Sequence, residues 1–251
     1  MTRYGTYSVV SVVDDEAPIA APGQFHMLST EIGWGGGDRG RPWLPRAISF
    51  LSNDARGRFD FLIDAVGPGT GALTSIKAGD RMLVTGPFGN GFSEPGEGVR
   101  PILLGGGIGA APVMAAAESL TKSGVDSVLA LGFRSSEQSG IAVLADNAKI
   151  YTDDGSAGSK GSVLNALEDE TSEIEIFACG PAPMLEAVRV FAEQKGINCQ
   201  LALEAPMACG FGACFGCAIH TRDGIKRLCV DGPVVPGSDL EFVSATGRAP
   251  S

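Results

Sequence analysis

The chain has 251 residues, of which 44% are hydrophobic and 19% charged, enough apolar side chain for a packed core and a length that suits one or two domains. Lys and Arg number 19 against 29 Asp and Glu, a net charge of −10 that excludes a general nucleic-acid binder and a surface docking on anionic lipid. Glycine is the outlier at 36 residues, about twice its usual share, so glycines are expected where backbone turns sharply or approaches a ligand. The longest uncharged stretch, 101–117, carries two prolines and four glycines and is no membrane span. The opening MTRYGTYSVV has no apolar signal-peptide region, and the expectation is a cytoplasmic protein.

From Thr6 to about Thr85, short β-type runs alternate with Gly, Pro and Asn turns: TYSVVSVV, FHMLS, AISFLS, FDFLIDAV and RMLVTG. Strands spaced this way, without long helices between them, predict a small barrel or sandwich. The glycine-rich stretch 33–45 reads as a loop. Arg46 and Ser49 share one β-run, and Gly67-Pro-Gly69-Thr70 leads into a short helix as a candidate anion cradle. Taken singly, each is more often an ordinary surface arginine or a turn. The turn-rich stretch 86–98 marks the first domain boundary.

From Pro101 the rhythm changes to strand, glycine turn, helix, which predicts a parallel sheet flanked by helices over 99–200. Gly105, Gly107 and Ala110 in GGGIGAAPV satisfy G-x-G-x-x-A between an apolar strand and a helix, as a phosphate-binding turn does. The carboxylate expected about 20 residues later is missing, because the next strand ends at Phe133-Arg134-Ser135. A tight structural turn therefore remains an alternative. TDDGSAG (152–158) is either a solvated loop or a pair of carboxylates, Asp153 and Asp154, for ribose hydroxyls. A helix is expected from Pro181 to Gln194, with Met184, Leu185, Val188, Phe191 and Ala192 on one face. Cys179 ends the strand before it. A small buried side chain is the commoner use there, although the ends of parallel strands are also where ligands bind.

None of the six cysteines precedes Cys179, and four follow the pattern Cys209-x4-Cys214-x2-Cys217-x11-Cys229. Four thiolates suit tetrahedral zinc or an iron–sulfur cluster; zinc sites usually pair two CxxC knuckles, whereas this spacing is that of plant-type 2Fe–2S ferredoxins. Gly210, Gly212, Ala213 and Gly216 let the loop wrap closely and aim N–H groups at sulfur. Buried structural cysteines and zinc stay open as alternatives. Cys199, His26 and His220 read as structural. A hairpin is expected after the cysteine loop, and a Pro/Gly-rich tail completes the segment 201–251.

In their order along the chain, these motifs resemble the ferredoxin–NADP reductase superfamily. Within it they are most similar to the iron–sulfur electron-transfer subunits of two-subunit, NADH-linked dihydroorotate dehydrogenases. The resemblance covers roughly residues 5–235 and rests on RAIS, GPGT, GPFGNGF, GGGIGAAP, YTDDGSAGSKG, ACGPAPM and EAPMACGFGACFGC…CVDGPV. It implies an FAD-binding β-barrel domain (1–98), an NAD-binding α/β parallel-sheet domain (99–200) and a C-terminal 2Fe–2S cluster segment (201–251).

The resemblance also implies roles. Arg46 holds the flavin pyrophosphate, and Ala47, Ile48 and Ser49 line the flavin, with Ser49 near its N5. Gly67, Gly69 and Thr70 bind the FAD phosphates. Gly106, Gly107 and Ile108 face the nicotinamide nucleotide, and Asp153 and Asp154 meet its adenosine end. Cys179 and Gly180 sit beside the hydride-transfer position, which makes Ser49 and Cys179 the catalytic candidates. Cys209, Cys214, Cys217 and Cys229 hold the cluster. Departures are Ala47-Ile48, where the family carries Pro or an aromatic residue, the long 33–45 loop, and the lack of a terminal aromatic over the flavin.

The implied activity is a relay among NAD(H), FAD and the cluster. It connects to a catalytic, FMN-containing dihydroorotate dehydrogenase chain of pyrimidine biosynthesis, two copies of each chain assembling together. No general acid or base is required, in keeping with only two histidines. Asp153 and Asp154 favour NAD(H) over NADP(H), with Arg134 and Lys160 as opposing cations. Alternatives are the flavin subunit of a transhydrogenase, sulfide dehydrogenase or hydrogenase and, from a different class, a zinc-stapled or redox-sensing interaction module.

Overall fold

The computed structural model describes residues 1–35, 40–168, 170 and 173–243. The middle of the expected 33–45 loop and the expected tail from 244 lie outside the described residues.

The first unit is antiparallel. Its strands are β1 (Thr2–Tyr4), β2 (Tyr7–Val13), β3 (Phe25–Thr30), β4 (Arg46–Asn53), β5 (Arg58–Asp64) and β6 (Met82–Phe88), in the spatial order β1-β2-β5-β4-β3-β6. Phe50, Phe59, Phe61, Val10, Leu28 and Ile63 point inward and form its core, closed at one end by Leu73 of the short helix α1 (Pro68–Leu73). Each large apolar side chain buried this way contributes roughly 1.5–3 kcal/mol. The sheet curls into a barrel with an open seam: β1 and β6 end the strand order, and a groove of about 1190 Å3 runs between β2 and β6. All six residues of β3 are buried. Leu28 faces the barrel core, while Phe25 and Met27 pack into the core shared with the second unit.

The second unit is a seven-stranded sheet. It is built from β7 (Arg100–Gly106), β8 (Val128–Phe133), β9 (Lys149–Thr152), β10 (Ser159–Lys160), β11 (Ile174–Cys179), β12 (Cys199–Ala202) and β15 (Val234–Pro236). The order is β10-β9-β8-β7-β11-β12-β15, parallel throughout except for β15, which runs against β12. β7 lies centrally, with β8 on one side and β11 on the other. The chain reverses its winding there, and such a switch point opens a crevice beyond the strand ends. Helix α2 (Ala110–Lys122) is rich in alanine, which allows it to reach both units: Ala111, Val113 and Ala116 pack in the core under the sheet, and Ala115 joins the barrel core. Helix α3 (Ala182–Lys195) follows Pro181, its N-cap, and ends at Gly196 with φ +67. It buries Leu185, Val188 and Ala192 as its spacing predicts, and also Arg189, which is paired with Glu186 and Glu193 at 2.8 Å each.

The sheet crosses the position expected as the start of the last segment. β12 straddles residue 200, and β15 returns from beyond the cysteines to pair with it. Between them lie the cysteine loop and the hairpin of β13 (Ala218–Thr221) and β14 (Gly224–Arg227). Of the residues read as structural, Cys199 and His26 are buried, whereas His220 is solvent-exposed on β13. In that short two-stranded hairpin, His220 alternates with the buried Ile219 and so points outward.

Candidate active-site cleft and cysteine site

A cleft of about 610 Å3 lies between the two units. Arg46, Ala47, Ile48 and Ser49 of β4 line one wall; Ile108 and Gly109 after β7, and Cys179 at the end of β11, line the other. Its floor continues through Ala205, Pro206 and Met207, which lead directly to Cys209. Residues far apart in sequence thus meet at one place.

Around Arg46 the backbone is fitted to the side chain. A Cβ on Gly69 would lie 2.5–2.7 Å from the Arg46 guanidinium, so only glycine lets α1 approach it. The Thr70 hydroxyl closes the first turn of α1 on Gly67: the Gly67 N–H donates to Thr70 Oγ1 at 3.1 Å, and that hydroxyl donates to the Gly67 carbonyl at 3.2 Å. Arg46 also stacks over Trp34, with Cζ 5.6 Å from the ring centre. A fixed guanidinium flush against a glycine backbone is a cradle that fits a diphosphate.

The nucleotide-side turn is equally tight. Gly107 adopts φ +56, and a Cβ on Gly109 would stand 2.4 Å from the Cys179 carbonyl oxygen. Gly106 and Gly180 both lie against Met184, where a Cβ would come within 2.5 and 2.9 Å of its Sδ. The expected GxGxxA turn, Cys179 and Gly180 therefore form one close-packed unit at the switch point. Burial raises the Cys179 pKa well above the ordinary thiol range, and the nearby Glu204 adds to the shift. Cys179 is a neutral thiol, not a nucleophilic thiolate.

Asp153 and Asp154 stand farther out, exposed on the loop after β9. Asp154 accepts from the Ser156 N–H at 2.9 Å and its hydroxyl at 2.6 Å, and these hydrogen bonds hold its pKa below the usual carboxylate value. Ser156 in turn accepts from the Ser136 N–H at 2.7 Å, which knits this loop to the one carrying Arg134.

Glu204 was not among the residues singled out from sequence. It lines the cleft two residues beyond β12, where desolvation by the surrounding protein raises its carboxyl pKa. The readable signal is its place at the head of EAPMACGFGAC, the block that joins the cleft to the cysteines.

The four cysteines lie as two pairs, and among the described residues no three of them form a single metal-ligating group. Cys217 Sγ lies 3.2 Å from Cys229 Sγ, both buried; Cys209 and the exposed Cys214 are hydrogen-bonded to each other. Backbone N–H groups converge on the sulfurs: Gly212 on Cys229 at 3.1 Å, Gly216 on Cys214 at 3.4 Å, and Cys229 on Cys217 at 3.4 Å. Backbone hydrogen bonds from Phe211 and Cys214 lower the Cys209 pKa to about 6. A set of four thiols with converging N–H donors fits an iron–sulfur cluster, whose sulfurs accept such bonds. The loop abuts the barrel at Gly210, where a Cβ would meet Met27 Cγ at 2.7 Å. Met27 pairs with Ala47 of the cleft wall, so a single strand separates the cleft from the cysteine loop.

A barrel, a nucleotide-type parallel sheet and a cleft at their junction define a reductase of the ferredoxin–NADP reductase type. The solved NADH-dependent reduced ferredoxin–NADP oxidoreductase, studied for flavin-based electron bifurcation, matches with a TM-score of 0.75 and 27% identity over 96% of this chain and 91% of that one. The iron–sulfur cluster binding domain of dihydroorotate dehydrogenase B matches residues 204–241. Relatives that match across most of the chain bear the name dihydroorotate dehydrogenase B (NAD(+)), electron transfer subunit. That of Caldanaerobacter subterraneus subsp. tengcongensis is 35% identical over 88% of this chain and 87% of its own length. That of Clostridium perfringens is 36% identical over 95% and 93%. The chain belongs to the family of dihydroorotate dehydrogenase B electron transfer subunits.

Proposed function

We propose that this chain relays electrons between NAD(H) and a catalytic, FMN-containing dihydroorotate dehydrogenase chain of pyrimidine biosynthesis, two copies of each working together in the cytoplasm. Among the described residues, no helix is long and apolar enough to cross a membrane. The observation that carries the reading is the shared cleft, whose walls come from both units and whose floor runs into the cysteine loop. Bound FAD supplies the exchange between two-electron hydride chemistry and the one-electron steps an iron–sulfur cluster accepts.

The chain's own residues position and insulate. Arg46, with Gly67, Gly69 and Thr70, holds the flavin diphosphate, and Ala47, Ile48 and Ser49 line the flavin. Gly106, Gly107, Ile108 and Gly180 receive the nicotinamide nucleotide, and Asp153 and Asp154 meet its ribose. Cys179 packs beside the reacting ring as an uncharged group. Cys209, Cys214, Cys217 and Cys229 hold the 2Fe–2S cluster. Phe211 and Phe215, 62% and 59% exposed, flank the exposed Cys214 and form an apolar exit toward the partner.

Spectra of the purified protein test the reading. Flavin and cluster bands bleached by NADH under anaerobic conditions are expected, and a colourless protein would overturn it. Cys214→Ser should abolish or strongly perturb the cluster EPR signal with FAD retained, while Cys199→Ser leaves the spectrum alone. An unchanged signal in Cys214→Ser would remove that residue from the ligand set. Co-purification with a dihydroorotate dehydrogenase chain, as opposed to a transhydrogenase, sulfide dehydrogenase or hydrogenase component, identifies the partner.

A further inference from the structure

Arg227 ends β14, two residues before Cys229. Its Nη1 donates to the Gly212 carbonyl at 3.0 Å, and its Cζ lies 5.1 Å from the centre of the Phe215 ring. Gly212 and Phe215 stand on either side of Cys214. One planar cation therefore grips the loop on both flanks of its exposed thiol.

Both grip points are backbone that needs support. Gly212 has φ +87, and a Cβ there would sit 2.7 Å from Val230 Cγ2 and 3.2 Å from Arg227 Nη1. Phe215 adopts φ +58, a region that residues with a Cβ rarely enter and keep only where the surroundings hold them. Gly212 is also fixed at its other end, through its N–H on Cys229 Sγ. Asp231 accepts the Arg227 backbone N–H at 2.8 Å and lies 3.7 Å from its Nε, which orients the guanidinium from behind.

We propose that Arg227 is the positioning residue that shapes the cysteine loop around its cluster and raises the cluster's midpoint potential. This rests on the assignment of the four cysteines as ligands. A thiolate-bound cluster gains one negative charge on reduction, and a fixed cation held against the cysteine loop favours the reduced form. Shape comes from the fork: a guanidinium donates in its plane to Gly212 while its face lies on Phe215, whereas an ammonium supplies charge without that geometry.

EPR-monitored redox titration of the cluster-loaded protein separates the two contributions, with iron and FAD content measured alongside. Arg227→Gln should lower the midpoint potential and change the EPR line shape. Arg227→Lys should keep more of the potential but show the altered line shape. Asp231→Asn, which removes the neutralising carboxylate, should shift the potential upward. Wild-type potential and line shape in Arg227→Gln would overturn the proposal. Should that variant fail to hold a cluster, the absence of an upward shift in Asp231→Asn would do the same. Cys214→Ser keeps the two readings apart. No EPR change there removes Cys214 from the ligand set; a change there, with none in Arg227→Gln, removes only the role of Arg227.

Discussion

The antiparallel unit carries Arg46 to Ser49 along a strand, β4, with Gly67, Gly69 and Thr70 beside them at α1, whereas the parallel sheet carries its candidates at and beyond strand ends. There they are Gly106 to Ile108 at the end of β7, Asp153 and Asp154 after β9, Cys179 and Gly180 at the end of β11, and Glu204 past β12. The difference follows from burial. A parallel strand covered on both faces commits its side chains to packing, as Ile102, Leu103 and Leu104 do at 0% exposure, and only its end is free for a ligand. A curled antiparallel sheet buries one face and can offer the other. The cores differ in kind as well: largely aliphatic around the parallel sheet, where Phe133 and Phe177 are exceptions, and built on a cluster of Phe50, Phe59 and Phe61 inside the barrel, with one histidine among the rings.

That histidine offers the sharpest way to break the comparison. His26 is 2% exposed, with Phe59 and Phe61 edge-on at 4.8 and 5.4 Å, and burial lowers its pKa to about 4. Its unfolded value is 6.5, so between those values the unfolded state binds the extra proton. Stability is fully present above the unfolded value and is lost as pH falls from about 6.5 to 4, by roughly 3 kcal/mol. Urea unfolding across this window should show the loss in the wild type and its disappearance in His26→Phe. An unchanged slope in the variant would place the acid sensitivity outside the barrel core.

Next in size is the effect on cofactor retention. Removing Arg46 deletes charge-assisted hydrogen bonds worth about 2 kcal/mol, or about 30-fold in affinity. Arg46→Ala should therefore lose FAD on gel filtration with the cluster retained. Wild-type occupancy would show that the strand face does not hold the flavin. The smallest effect tests the strand ends. Asp153 and Asp154 should favour NADH over NADPH by about tenfold in kcat/KM with an artificial acceptor, by repelling the 2′-phosphate. Equal or better efficiency with NADPH would shift the assignment to Arg134, on the neighbouring loop.

The five long barrel strands were legible because their alternation and turn residues agree. The Thr2–Tyr4 strand was not, being three residues long and defined only by its pairing with Tyr7–Val9. Cys199–Ala202 and Val234–Pro236 were hidden for the same reason: each is short, flanked by loop-like sequence, and defined by pairing with distant strands, the first with Ile174–Cys179 and the second with the first. Cysteine spacing singled out four candidate ligands, but not that their loop leans on Met27. The cleft was legible only through family likeness, since Ser49 and Cys179 are 130 positions apart and nothing local joins them. Glu204 was missed because a carboxylate at a loop start is unremarkable until the fold places it beside Cys179.

The return of β15 to β12 has a consequence for how the molecule comes apart. Leu203 donates to the Pro233 carbonyl at 2.9 Å, so the chain leaves and re-enters the sheet at adjacent points. Everything between, cysteines and hairpin included, is topologically a cassette hung from a closed clasp. Loss of the metal centre then loosens a loop whose ends stay tied, a local opening in hydrogen-exchange terms, while the sheet beneath keeps its register.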